Sequence, residues 1–195
     1  MTSRARGVKF RSGMILGGNS HEVEIPSFRE EAVQQFYGDF KNFKEASTGH
    51  ETAQEITDFV NQRLEYDNPA ERYNPQTGEQ LGDRVPLEHS IKYEVGRCKE
   101  KAAAAQMLMQ LEELESTYVK GLYPFFDEDE GVTKQGKHAW LKVQTQEGEY
   151  FADPTNGHFE PYDDFVDGYK GLGCQEIDQE VYIPEGHEDA LEKFI

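Results

Sequence analysis

Residues 102–111 read Ala-Ala-Ala-Ala-Gln-Met-Leu-Met-Gln-Leu, and no other stretch limits the fold as tightly. Four consecutive alanines favour a helix, and apolar or small side chains then cover most of its circumference. A helix with no face for water belongs inside a fold, and its alanines let a sheet approach closely. The pattern places this helix within residues 94–114, with Cys98 at its start.

The surroundings give it partners. Phe28, Val33, Phe36, Phe40 and Phe43 recur at helical spacing and predict an amphipathic helix from Phe28 to Glu45. Ala53, Ile56, Phe59, Val60 and Leu64 predict a second, from Thr48 to Tyr66. Asn68 to Arg84 carries Pro, Asn, Gly and charge, which predicts a long loop. Strands are expected at His21–Ile25, Thr117–Tyr123, His138–Val143, Glu149–Ala152 and near Glu176–Ile183. Between Asp153 and that last strand the glycines predict turns. Helices followed by strands make an α+β fold, not an alternating parallel sheet. A chain of 195 residues suits one domain. Its core should span about 50–160, with a helical extension at about 26–48 and a strand-rich one at about 161–195.

Three residues invite chemistry. Cys98, in Gly96-Arg97-Cys98-Lys99, would sit where free amides and the helix dipole favour a thiolate. Gly96 would permit a tight turn and leave room for a substrate backbone. His138 opens a strand with Trp140, and Asp153 ends the next strand ahead of Pro154. Singly, each has a plain structural reading: a small buried thiol, a strand histidine, a turn aspartate. Jointly they match nucleophile, base and orienter. A hairpin whose loop is Gln144–Glu147 would set His138 opposite Asp153. A turn centred on Glu147 and Gly148 would set Asp153 opposite Lys142, leaving His138 roughly 13 Å along the strand. The wider turn, a shifted turn or a bulge is what the trio requires.

Gly96-Arg97-Cys98, the alanine helix, His138-Ala139-Trp140 and Asp153-Pro154-Thr155, in that order, resemble the core of the transglutaminase-like superfamily. Phe59-Val60 through Tyr66-Asp67 is similar to the helix leading into that family's Tyr-Asp segment, so the resemblance spans about residues 59–156. It implies a papain-like cysteine proteinase fold in which the helix carrying Cys98 packs on an antiparallel sheet carrying His138 and Asp153. It also implies Cys98 as nucleophile, with His138 as general base and acid and Asp153 as orienter. The Cys98 backbone N–H is the oxyanion donor expected; Gly96, Arg97 and Trp140 should lie near the site. In one respect the chain departs from its relatives, with charged Lys99 where they often place an aromatic residue.

The remaining features narrow the function. A net charge of −18 repels phosphate backbones, which argues against nucleic-acid binding; the cluster Arg4, Arg6, Lys9 and Arg11 reads as a solvated tail. No run approaches the roughly 20 apolar residues that span a bilayer, and Met14-Ile15-Leu16 is too short for a signal core, so cytoplasmic is the default. Asp127-Glu128-Asp129-Glu130 and Asp163, Asp164 and Asp167 read as solvated acidic segments, not cation sites. The histidines show no zinc spacing, and no metal or cofactor is expected. Cys174 reads as structural. Three functions stay open: a thiol hydrolase of amide bonds in a peptide or protein substrate, a protein-glutamine transglutaminase, and a non-catalytic binding module. The sequence leaves the oligomeric state open.

Overall fold

The computed structural model describes residues 10–17, 22–45, 48–67, 84–127, 132–169, 175–177 and 181–182. The alanine helix is its centre. This helix, α4 (Cys98–Leu111), follows α1 (Glu31–Phe43), α2 (Gly49–Arg63) and α3 (Leu87–Tyr93). Every residue from Lys99 to Met109 is buried, so the helix is surrounded as its composition requires. It packs against α2 and α3 on one side. Its other neighbours are the strands β4 (Glu115–Asp127) and β5 (Val132–Thr145).

The helices begin and end for local reasons. Thr48 caps α2, accepting from the Glu51 N–H at 3.2 Å while its hydroxyl donates to the Glu51 carboxylate at 2.8 Å. The first helix starts three residues later than its apolar pattern predicts, because Phe28 and Glu30 lie in a turn closed from the Glu30 N–H to the Ser27 carbonyl. Phe28 still packs on the core. Val33, Phe36 and Phe40 of α1 are buried, and the rings of Phe36, Phe40 and Phe43 gather around Phe59 of α2 at 5.1–5.5 Å. Helix α3 has no counterpart in the sequence expectation. It is a short element anchored by buried Leu87 and Ile91 and ended by Glu94 in the left-handed region, φ 58°.

β4 and β5 form an antiparallel hairpin longer than their apolar cores predict, reaching the pair Asp127 and Val132. β6 (Gly148–Asp153) and β7 (His158–Pro161) extend the sheet beyond β5, and β8 (Gln175–Ile177) extends it beyond β4. The order is β7-β6-β5-β4-β8, antiparallel throughout. A smaller sheet joins β1 (Ile15–Leu16), β2 (Glu22–Glu24), β3 (Arg84–Pro86) and β9 (Val181–Tyr182) in the order β3-β2-β1-β9, with β2 and β3 parallel.

The five-stranded sheet is buried on both faces. Tyr118, Leu141 and Ala152 face the main core with α4. Their neighbours Val119, Trp140 and Phe151 form a second core with Phe165. Phe165 belongs to α5 (Tyr162–Tyr169), where turns and strands were expected; its ring stacks on Phe151 at 3.7 Å. Asp163 and Asp164 occupy the first turn of α5, where carboxylates complement the helix dipole, and both are exposed. The C-terminal part is therefore not simply strand-rich. The expected long loop falls mostly on residues 68–83, outside the described residues, as do Glu128–Gly131, Cys174 and the cluster from Arg4 to Lys9. Among the described residues no helix is long and apolar enough to cross a membrane.

Candidate active site

Cys98 is the first residue of α4, and its free thiol is half-buried. The approach to it is held from two sides. Glu65, just past α2, pairs with Val95 in an isolated parallel bridge. The Glu65 N–H donates to the Glu94 carbonyl at 2.7 Å, and the Gly96 N–H donates to the Glu65 carbonyl at 2.9 Å. Within the first turn, the Glu100 carboxylate accepts from the Arg97 backbone N–H at 3.1 Å. A guanidinium offers no acceptor, so only this half of a capping box forms. Gly96 serves that turn: a Cβ there would lie 2.9 Å from the Glu100 Cβ.

His138 stands opposite Gly121 in the β4–β5 hairpin. Its Nε2 lies 2.8 Å from Asp153 Oδ2, with the His138 side chain 11% exposed and that of Asp153 0%. Asp153 is further held by the Thr155 N–H, which donates to Oδ1 at 2.9 Å, and by Asn156 Nδ2, which donates to Oδ2 at 2.7 Å. Trp140, two residues along β5, stacks against the imidazole with centroids 6.2 Å apart.

The hairpin joining these strands follows neither expected register. Thr145 pairs with Gly148 and Leu141 with Ala152, so the turn is Gln146-Glu147. Thr145 Oγ1 accepts from the Glu147 N–H at 3.1 Å, and Gly148 adopts φ 139°, a conformation that favours glycine. Continuing this register sets Asp153 opposite Trp140 and diagonal to His138. A diagonal pair on one face remains within reach of side chains this long, so no wider loop or bulge is needed.

The electrostatics follow from these contacts. Burial disfavours a charged imidazole, yet hydrogen bonding to Asp153 and to Cys98, with the charges of both, pushes the His138 pKa up to about 9. Since Asp153 engages Nε2, the nitrogen left for sulfur is Nδ1. For Asp153, burial opposes the carboxylate, but His138, Asn156 and the Thr155 N–H together hold its pKa below the usual range. Both shifts favour the ionised forms of His138 and Asp153.

Several contributors carry no apolar pattern that marks them in the sequence. Asn156 is spaced three residues after Asp153, as a side chain closing an aspartate turn would be. Asn61 of α2 donates to the carbonyls of Pro154 and Thr155 at 3.1 and 2.8 Å. Lys101 of α4 is buried, 2% exposed. Tyr66 is 58% exposed; burial of its hydroxyl and the charge of Cys98 raise its pKa. Among the described residues no cluster of three His, Cys, Asp or Glu is placed to hold a metal ion.

This chain belongs to the transglutaminase-like superfamily, whose family model matches residues 35–154. No curated protein matches it in sequence. Among solved structures it is similar to a candidate cysteine protease from Cytophaga hutchinsonii, at 15% identity and TM-score 0.46, covering 80% of this chain and 52% of that one. It is also similar to a TGase, at 17% identity and TM-score 0.44, covering 64% and 31%. A third is Legionella pneumophila LapG, at 14% identity and TM-score 0.44, covering 85% and 86%. The chain spans about half the length of the first and about a third of the second.

Proposed function

We propose that the protein is a thiol-dependent hydrolase of amide bonds in a peptide or protein substrate, with Cys98, His138 and Asp153 as its catalytic groups. One observation carries this reading: His138 lies 2.8 Å from Asp153 through Nε2 and also engages Cys98, the first residue of α4, and these contacts together raise its pKa to about 9.

The steps follow from that pairing. The Cys98 sulfur, as thiolate, bonds to the substrate carbonyl carbon. The Cys98 backbone N–H, one of the free amides of the first helical turn, donates to the oxygen that becomes negative. His138 gives its proton to the departing nitrogen as the C–N bond breaks, leaving a thioester and a neutral imidazole. Water then adds to the thioester carbonyl as the imidazole takes its proton. Collapse breaks the C–S bond, frees the carboxylic acid and restores the thiolate–imidazolium pair. Asp153 stays ionised throughout and keeps Nε2–H fixed, so Nδ1 faces the sulfur in both half-reactions.

The test is mass spectrometry of Cys98 adducts after exposure to a panel of peptide amides, read together with ammonia or peptide release and incorporation of an added primary amine. Release through a Cys98 thioester without incorporation is the expected outcome. Amine incorporation would assign an acyl transferase using the same three groups. No adduct, with Cys98 and Cys174 alkylated equally slowly near pH 6, would leave a binding module.

A further inference from the structure

Lys101 lies one helical turn after Cys98 on α4, and its ammonium is buried at the junction of three elements. A buried lysine needs a compensating partner, since desolvating an ammonium costs several kcal/mol. It donates a hydrogen bond to the Asn61 backbone carbonyl, a neutral acceptor 3.2 Å away. The amide of the same Asn61 donates to the carbonyls of Pro154 and Thr155, directly after Asp153. Gly157 completes this contact: it adopts φ 69°, and a Cβ there would lie 3.4 Å from the Asn61 amide. One asparagine thus joins the helix bearing the thiol to the turn bearing the carboxylate. The opposite charge acting on Lys101 is that of Asp153, across from α4; Cys98 and Glu100 lie on its own helix, and His138 bonds the carboxylate.

We propose that Lys101 is a positioning residue: with Asn61 it locks the α4 start against the Asp153 turn, and its buried charge favours the ionised Asp153 on which the pairing of His138 with Cys98 depends. This inference rests on the catalytic reading above. The cost of burying the ammonium is visible in its pKa, which desolvation lowers while Asp153 partly restores it. A lysine serving only as packing would need no charge there. Methionine has nearly its length and none of the penalty.

The experiment is the pH dependence of iodoacetamide alkylation at Cys98, in wild type, Lys101→Met and Asn61→Ala. Removing a cation makes nearby anions harder to form, so the acid limb in Lys101→Met should move up by about half a pH unit or more. Asn61→Ala keeps that charge and loosens the turn, so it should slow alkylation without moving the limb. A folded Lys101→Met with the wild-type limb overturns the inference. If wild-type Cys98 reacts no faster than Cys174, the catalytic reading itself has failed, which is a separate result. Where Lys101→Met does not fold, the reciprocal measurement decides. Followed by 15N NMR, the Lys101 ammonium should titrate lower in Asp153→Asn than in wild type. An unchanged midpoint overturns the inference.

Discussion

His138 and Asp153 meet on a diagonal of the β5–β6 hairpin, two residues off the rung that the register defines, with Nε2 and Oδ2 2.8 Å apart. The carboxylate is held by the Thr155 and Asn156 donors and the imidazole by the stacked Trp140 ring, so the diagonal contact is braced at both ends.

Replacing Asp153 with Asn should therefore do more than remove a charge. The new amide nitrogen would face either the Thr155 N–H or both Asn156 and His138, all of which already donate to the carboxylate. The His138 midpoint, read by NMR, should fall from about 9 towards its ordinary 6.5. Turnover, if the proposed chemistry holds, should drop by about two to four powers of ten.

Cys98→Ala should eliminate both adduct formation and amide cleavage while the chain stays folded. The half-buried sulfur is small, and its loss should cost about 1 kcal/mol. Thermal unfolding alongside the panel assay checks both halves; residual cleavage in this variant would end the proposed mechanism.

Stability should depend on pH through the same pair. The folded pKa of His138 is raised, so its contribution is complete below about 6.5 and fades as pH climbs through about 9. That of Asp153 is lowered, so its contribution is present above the ordinary aspartate range and fades as pH falls through the folded value. Urea midpoints across pH should show a plateau with a shoulder on each side. The alkaline shoulder should flatten in His138→Gln.

Gly96→Ala tests the first turn of α4. A methyl placed 2.9 Å from the Glu100 Cβ must displace that side chain and its bond to the Arg97 N–H. The expected cost is about 1–3 kcal/mol, with slower Cys98 alkylation. Phe165→Ala is its counterpart on the opposite face of the sheet. Losing a buried ring stacked on Phe151 should cost about 3–5 kcal/mol. Because Phe165 also packs on Trp140, the ring beside His138, Cys98 alkylation should slow as well.

What the sequence made readable was whatever rests on local periodicity. α4 and α2 were legible from continuous or one-sided apolar patterns, and the order of Cys98, His138 and Asp153 around them is what singled out that trio as candidates. α3 and α5 were not, because each is short and is held by distant partners: Leu87 and Ile91 by the main core, Phe165 by Phe151 and Trp140. The turn register was missed because Gly148 suggested a turn centred on itself. The deciding signal was Thr145, whose hydroxyl pins Gln146-Glu147 from one residue earlier. Lys101 escaped notice because a charged residue in a helix is ordinarily assigned to solvent, and only the packed fold reveals that none reaches it.

The bridge between Glu65 and Val95 is parallel, so the chain leaves both residues heading the same way. Tyr66-Asp67 and Gly96-Arg97 therefore run side by side toward the thiol, one as a rim and the other as the lead into the nucleophile. The rim is not part of the strands that carry the imidazole and the carboxylate. Substitutions along that rim can therefore alter the approach to Cys98 without touching the strands that carry His138 and Asp153.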